Sequence, residues 1–112
     1  MNTLLLPDQR RIPLDKDGYL RKLTDWDEEV AAALARAAAI ELSPAHWEII
    51  HLLRQFYAVH GLSPAMRALV KYTGRELGAD KGRSVYLLTL FPGNAAVLGA
   101  KIAGLPRPAN CF

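Results

Sequence analysis

The residue best suited to chemistry is Cys111, the only cysteine of the 112. It stands at the end of Gly104-Leu105-Pro106-Arg107-Pro108-Ala109-Asn110-Cys111-Phe112. Pro106 and Pro108 lack an amide hydrogen, and each disfavours helical geometry in the residue before it. The run therefore reads as an extended, mobile C-terminal arm with little reason to stay buried, reaching roughly 25 Å from Gly104 when stretched. A thiol so placed is a soft nucleophile with an unperturbed pKa near roughly 8.5. Arg107 and Lys101 would lower that value and the terminal carboxylate would raise it. No histidine lies beside Cys111 in sequence to act as its base, which argues against protease-like catalysis. A carrier needs no such base, because a persulfide sulfur passes by thiolate attack.

Other chemistry-bearing residues are weaker candidates. His46 and His51 lie five apart on one helix, about 140° around its axis, and His60 stands further along. With a single cysteine in the chain they make no convincing metal site, so neither metal nor cofactor is expected. Arg67, Lys71 and Arg75 recur at spacing four and would give a helix one basic face. That face follows a short helix-turn-helix-like corner, so DNA reading has to be weighed. A solvated face is the commoner use of such a pattern, and direct DNA binding is disfavoured. No glycine-rich phosphate loop is present.

The elements that must position these residues follow from local signals. Strands are expected at 4–6 and 11–14 around Pro7-Asp8-Gln9, with a second turn at Asp15-Lys16-Asp17-Gly18 before Tyr19-Leu20. Thr24 reads as the N-cap of an alanine-rich helix over residues 25–40, with Trp26, Val30, Ala33, Leu34 and Ala37 on one stripe. Ser43-Pro44 starts a second helix that Gly61 stops. That helix is apolar around most of its circumference and reads as the buried central post. Ser63-Pro64 repeats the start signal for a third helix ending before Gly74. A glycine-rich loop then leads to a helix over 82–91 with Val85, Leu87, Leu88 and Leu90 as core, and a short one over 94–103. The expected fold is mainly α: a small orthogonal helical bundle with an N-terminal β-hairpin, residues 1–103, followed by the arm, 104–112.

Composition agrees with one domain. Apolar residues make up 51% and charged residues 22%, ordinary globular values. Residues 1–60 carry seven Lys/Arg and nine Asp/Glu, and residues 61–112 carry seven and two. The second half is thus net positive by five, the first net negative by two. No apolar run is long enough for a membrane span or a signal peptide. With one unpaired thiol, this points to a cytoplasmic protein.

Several stretches resemble the DsrC/TusE family: Asp17-Gly18-Tyr19-Leu20, Asp25-Trp26, Ser43-x-x-His46-Trp47-Glu48 and Arg54-x-Phe56-Tyr57. So do Pro64-x-x-Arg67, Lys81-Gly82, Leu90-Phe91-Pro92 and Ala103-Gly104-Leu105-Pro106-Arg107-Pro108-x-x-Cys111. The likeness runs from about residue 15 to the end. It implies the same orthogonal bundle and a sulfurtransferase of the carrier type, holding a persulfide on the cysteine of the C-terminal arm. Two-cysteine, dissimilatory members have a second cysteine just before the Lys-Ile-Ala-Gly-Leu-Pro run, where this chain has Ala100. The single cysteine makes it most similar to the TusE-like members.

For those members the resemblance implies a TusBCD-like sulfur donor and a MnmA-like tRNA thiouridylase as acceptor, in 2-thiolation of wobble uridine. By their charge and position alone, Arg107 and Lys101 would support the charge on Cys111, and Arg67, Lys71 and Arg83 would line a docking surface. The alternatives are a DsrC-like partner of sulfite reductase, of the gamma-subunit type, and a regulatory module binding DNA or protein.

Overall fold

The computed structural model describes residues 2–108. Strands β1 (Thr3–Leu5) and β2 (Arg11–Pro13) pair antiparallel with Leu4 opposite Ile12. Strand alternation turns Leu4 and Ile12 inward, and both are buried. Pro13, which has no amide to donate, closes the strand on the exposed side, as its chemistry requires. The second turn is an Asx turn: Asp15 Oδ1 accepts from the amides of Asp17 and Tyr19, and Leu14 bridges to Leu20. Both expected turns are present.

Among the described residues five α-helices follow: α1 (Glu28–Ala37), α2 (Pro44–His60), α3 (Met66–Leu77), α4 (Ser84–Leu90) and α5 (Ala95–Ile102). The mainly helical bundle with a small hairpin is therefore the observed fold. No single helix among the described residues is long and apolar enough to cross a membrane.

Four local expectations are corrected. Thr24 does not cap α1; residues Leu23–Asp25 form a 3-10 turn, and Asp27 is the cap, its side chain accepting from the Val30 amide at 2.9 Å. Trp26 thereby stays outside the helix. Ser63-Pro64 does not start α3 either, since its N-cap is Ala65, and Ser63 is turned to another partner described below. Gly74 lies within α3 instead of ending it. A Cβ on Gly82 would overlap the Gly74 backbone, so the two glycines let the loop cross against the helix. In α4 only Leu87 of the four expected core residues is fully buried, while Val85 is 66% exposed.

The signals around α2 hold throughout. Ser43 caps it in a reciprocal box with His46, whose Nδ1 lies 3.1 Å from the Ser43 amide, and Gly61 ends it in the left-handed region. The other ring nitrogen of His46 meets the Leu90 carbonyl at 2.8 Å. The ring must therefore be the Nε2–H tautomer, accepting at Nδ1 and donating at Nε2. This histidine ties α2 to the end of α4 and is structural.

The central post, however, is α5 and not α2. Helix α5 packs against α1, α2, α3 and α4, and Ala95, Ala96, Gly99, Ala100 and Ile102 are buried. Its small side chains allow that approach; a Cβ on Gly99 would stand 2.9 Å from Leu53 Cδ1. The last turns of α2 leave the core instead, with Val59 69% exposed. Apolar circumference does not distinguish a buried helix from one that presents part of its apolar surface outward.

Candidate functional site

Cys111 lies outside the described residues. What the structure shows is how the segment leading to it is rooted. Helix α5 ends at Ala103, and Gly104 turns left-handed with φ of 73°. The Gly104 amide donates to the Lys101 carbonyl and the Leu105 amide to the Ala100 carbonyl, at 3.1 and 2.9 Å. These two bonds are a Schellman motif, which turns the chain sharply off the helix. Leu105, one residue past the glycine, is 3% exposed and joins the core.

Side chains from distant elements clamp this turn. Trp26 Nε1 donates to the Ile102 carbonyl at 3.0 Å, and Arg54 Nη1 donates to the Ala103 carbonyl at 2.7 Å. The Arg54 guanidinium also lies 3.9 Å over the Trp26 ring, a cation–π contact. Burial lowers its pKa from the usual arginine value, but an arginine stays charged in water-accessible proteins at neutral pH. The charge faces carbonyls at the negative end of the α5 dipole. A Cβ on Gly104 would run into Trp26, so tryptophan, arginine and glycine fit only together.

Beyond the clamp the chain is still held. Ser63 Oγ donates to the Pro106 carbonyl at 2.6 Å, Arg107 Nη1 lies 3.6 Å from Asp17 Oδ2, and Pro108 is buried. The expectation of a mobile arm beginning at Gly104 is thus corrected over residues 104–108, which pack on the body. Leu105 supplies the apolar surface, and the Pro106 carbonyl accepts a hydrogen bond where the prolines have no amide to donate.

The structure brings two expected supporting residues to one place. Arg107 is on Asp17, and Lys101 Nζ lies over the Tyr19 ring at 5.2 Å and against Gly18. Lys101 and Gly18 also edge a cavity of about 200 Å³ between Leu4, Leu34 and Leu98. The Asp17-Gly18-Tyr19 turn is therefore the seat of both cations. The docking residues are not gathered in the same way. Lys71 edges a second groove, Arg67 is exposed one turn earlier on α3, and Arg83 is exposed as the N-cap residue of α4. Trp26, Arg54 and Ser63 were not singled out as site residues. Trp26 and Arg54 belong to the stretches that carry the family likeness, which was the available signal; Ser63 had none.

The DsrC like protein family matches residues 7–112. The sulfurtransferase TusE homolog of Haemophilus influenzae is 50% identical over 101 residues, 90% of this chain and 93% of that protein. Sulfurtransferase TusE of Escherichia coli K12 is 42% identical over 109 residues, 97% and 100% of the two chains. Among solved structures, Allochromatium vinosum DsrC superposes with a TM-score of 0.89 at 39% identity, covering 100% of both chains. The oxidized gamma-subunit of the dissimilatory sulfite reductase (DsrC) from Archaeoglobus fulgidus gives 0.85 at 38% identity, covering 99% of this chain and 100% of that one. The clamp around Gly104 is thus built on a chain that belongs to the DsrC-like protein family.

Proposed function

We propose that this protein is a sulfurtransferase of the carrier type, with Cys111 as its persulfide-bearing residue. The observation that carries the reading is the clasped root, Gly104 to Pro108, from which the thiol-bearing end departs. Cys111 is only the third residue beyond Pro108, a reach of at most roughly 10 Å. A fixed root with a short thiol-bearing end gives each partner the same approach to the sulfur.

The chemistry balances without an added oxidant. The Cys111 thiolate attacks the outer sulfur of a donor persulfide, the donor S–S bond breaks, and the donor thiolate leaves. Cys111 then carries the extra sulfur as a persulfide. An acceptor thiolate repeats the attack on that outer sulfur and regenerates the Cys111 thiolate. Arg107 and Lys101, both at the root, lower the cost of the negative charge on either form. The resemblance to single-cysteine members implies a TusBCD-like donor and a MnmA-like tRNA thiouridylase as acceptor, and an unpaired thiol suits a cytoplasmic setting where thiols stay reduced.

Mass spectrometry after incubation with a persulfidated donor protein tests the reading. The expected result is a gain of one sulfur on the peptide containing Cys111, absent in Cys111→Ser, with tRNA thiolation lost in a strain carrying that variant. Undiminished thiolation in that strain overturns it.

A second reading, partnership with a sulfite reductase, is favoured by the superposition on the two DsrC structures. Ala100 stands against it, because resemblance places the second cysteine of two-cysteine members there. Co-purification with a sulfite reductase, and no sulfur transfer to a thiouridylase, would select this alternative.

A further inference from the structure

A groove opens where the exposed last turns of α2 pass α3. It holds about 420 Å³ and is lined by Phe56, His60, Ala68, Lys71, Tyr72 and Arg75. We propose that this groove is the docking site for the protein that exchanges sulfur with Cys111, and that it receives a large apolar side chain flanked by carboxylates. The inference rests on the carrier reading and adds to it where the partner sits and what chemistry it presents.

Three observations support this occupant. The hollow is mostly apolar, and Val59 and Leu62, on either side of the lining residue His60 in sequence, are 69% and 55% exposed. Large apolar residues left in water beside a concavity mark interaction surfaces. The rim is cationic: Lys71 and Arg75 edge the groove, and no carboxylate is among its described lining residues. Glu76, next to it, is engaged by Gln55 Nε2 at 3.2 Å and Arg75 Nε at 3.5 Å, which offsets part of the Arg75 charge and leaves Lys71 as the rim cation with no carboxylate on it among the described residues. Charge complementarity therefore calls for an anionic partner around an apolar anchor.

The third observation is position. His60 is three residues from Ser63, whose hydroxyl holds the Pro106 carbonyl. The groove is thus joined, through the short corner at 61–63, to the segment that precedes Cys111 in the sequence.

An RNA strand is the other anionic occupant, and the ring geometry disfavours it. Single-stranded RNA is held by bases stacking on open aromatic faces. Here Phe56 meets His60 at 4.3 Å and Tyr72 edge-on at 5.1 Å, while the Arg75 guanidinium lies over the Tyr72 ring at 4.9 Å. The rings serve one another, and what stays open is a pocket for a side chain.

The test is an NMR titration of the full chain with a short synthetic peptide of aspartates and glutamates around one tryptophan, and separately with oligouridylate. The peptide is expected to shift the amides of Phe56, His60, Ala68 and Lys71, with an affinity that falls as salt rises. Binding is expected to weaken about tenfold in Lys71→Glu/Arg75→Glu and in Ala68→Trp, which fills the hollow without changing charge. Circular dichroism checks that each variant is folded. Shifts elsewhere, equal affinity in both variants, or a response to the RNA alone overturns the proposal. Loading by glutathione persulfide is measured in parallel. It is expected to be equal in wild type and variants, whereas transfer to the thiouridylase falls about tenfold. If wild type fails to load, the carrier reading falls, while the peptide titration still decides what the groove binds.

Discussion

Arg54 shows how one side chain can serve an element it does not belong to. It stands on α2, and its guanidinium is shared between the Trp26 ring and the Ala103 carbonyl. A charge-assisted hydrogen bond of this kind contributes about 1.5–3 kcal/mol. Arg54→Met keeps the apolar stem and removes the donor, so a loss of about 2 kcal/mol in urea unfolding is expected, together with slower sulfur transfer. Asp27 is the second telling residue, because Thr24, Asp25 and Asp27 are all competent caps. Thr24 is the cap expected from sequence; the structure uses Asp27, which leaves Trp26 outside the helix with its indole on the Ile102 carbonyl. The Asp27 carboxyl is held below its ordinary pKa, first by the hydrogen bond from Arg10 and then by the Val30 amide. A lowered carboxylate stabilises the fold fully above its ordinary pKa, and that contribution is lost as pH falls through the lowered value. Asp27→Asn keeps a cap but cannot ionise, so its urea midpoint should drop less than wild type on acidification. The difference is expected to be small, because this pair is largely exposed and screened.

At the scale of elements, the legible boundaries were those set by neighbours in sequence. Ser43-Pro44 and Gly61 delimit α2 as expected, because cap, proline and left-handed glycine act within one turn. The errors fall where a residue answers to a distant one. Gly74 reads as a stop but is the surface on which the Gly82 loop crosses. Ser63 reads as a cap but its hydroxyl is taken by Pro106, 43 residues on. That bond makes a test of the root. Ser63→Ala removes a buried donor and leaves the Pro106 carbonyl without it, at an expected cost of about 1 kcal/mol. Gly104→Ala is harsher, since a left-handed alanine costs about 1–2 kcal/mol before its overlap with Trp26 is counted. Both should slow transfer of sulfur from a loaded Cys111 to a protein acceptor while leaving loading by a small persulfide unchanged. Stopped-flow transfer assays with matched thermal melts would separate a misdirected root from a merely less stable body.

At the scale of the whole molecule, the chain closes on its own end. The stretches that carry the family likeness pair with one another: Asp17 with Arg107, Trp26 with Ile102 and Gly104, Arg54 with Ala103, His46 with Leu90, Glu48 with Lys81. Sequence made the motifs visible but not their partners, because pairing over such separations is a property of the folded core. The same limit explains the misjudged arm. Prolines 106 and 108 keep residues 105–108 out of helix, yet such a backbone can lie on a surface as readily as leave it, and Leu105 is buried. The body should therefore end at Pro108 and not at Ala103, and truncation can measure this. A chain stopped after Ala103 loses the Leu105 side chain, whose burial contributes about 1.5–3 kcal/mol. It also loses the two amides of the Schellman turn and the Ser63 bond. Relative to a chain stopped after Pro108, its melting temperature is expected to fall by about 10 °C or more, since about 1 kcal/mol corresponds to several degrees in a domain of this size. Equal melting temperatures would mean that residues 104–108 rest on the body without stabilising it. The sulfur-bearing end would then lack the fixed root from which a carrier presents its cargo.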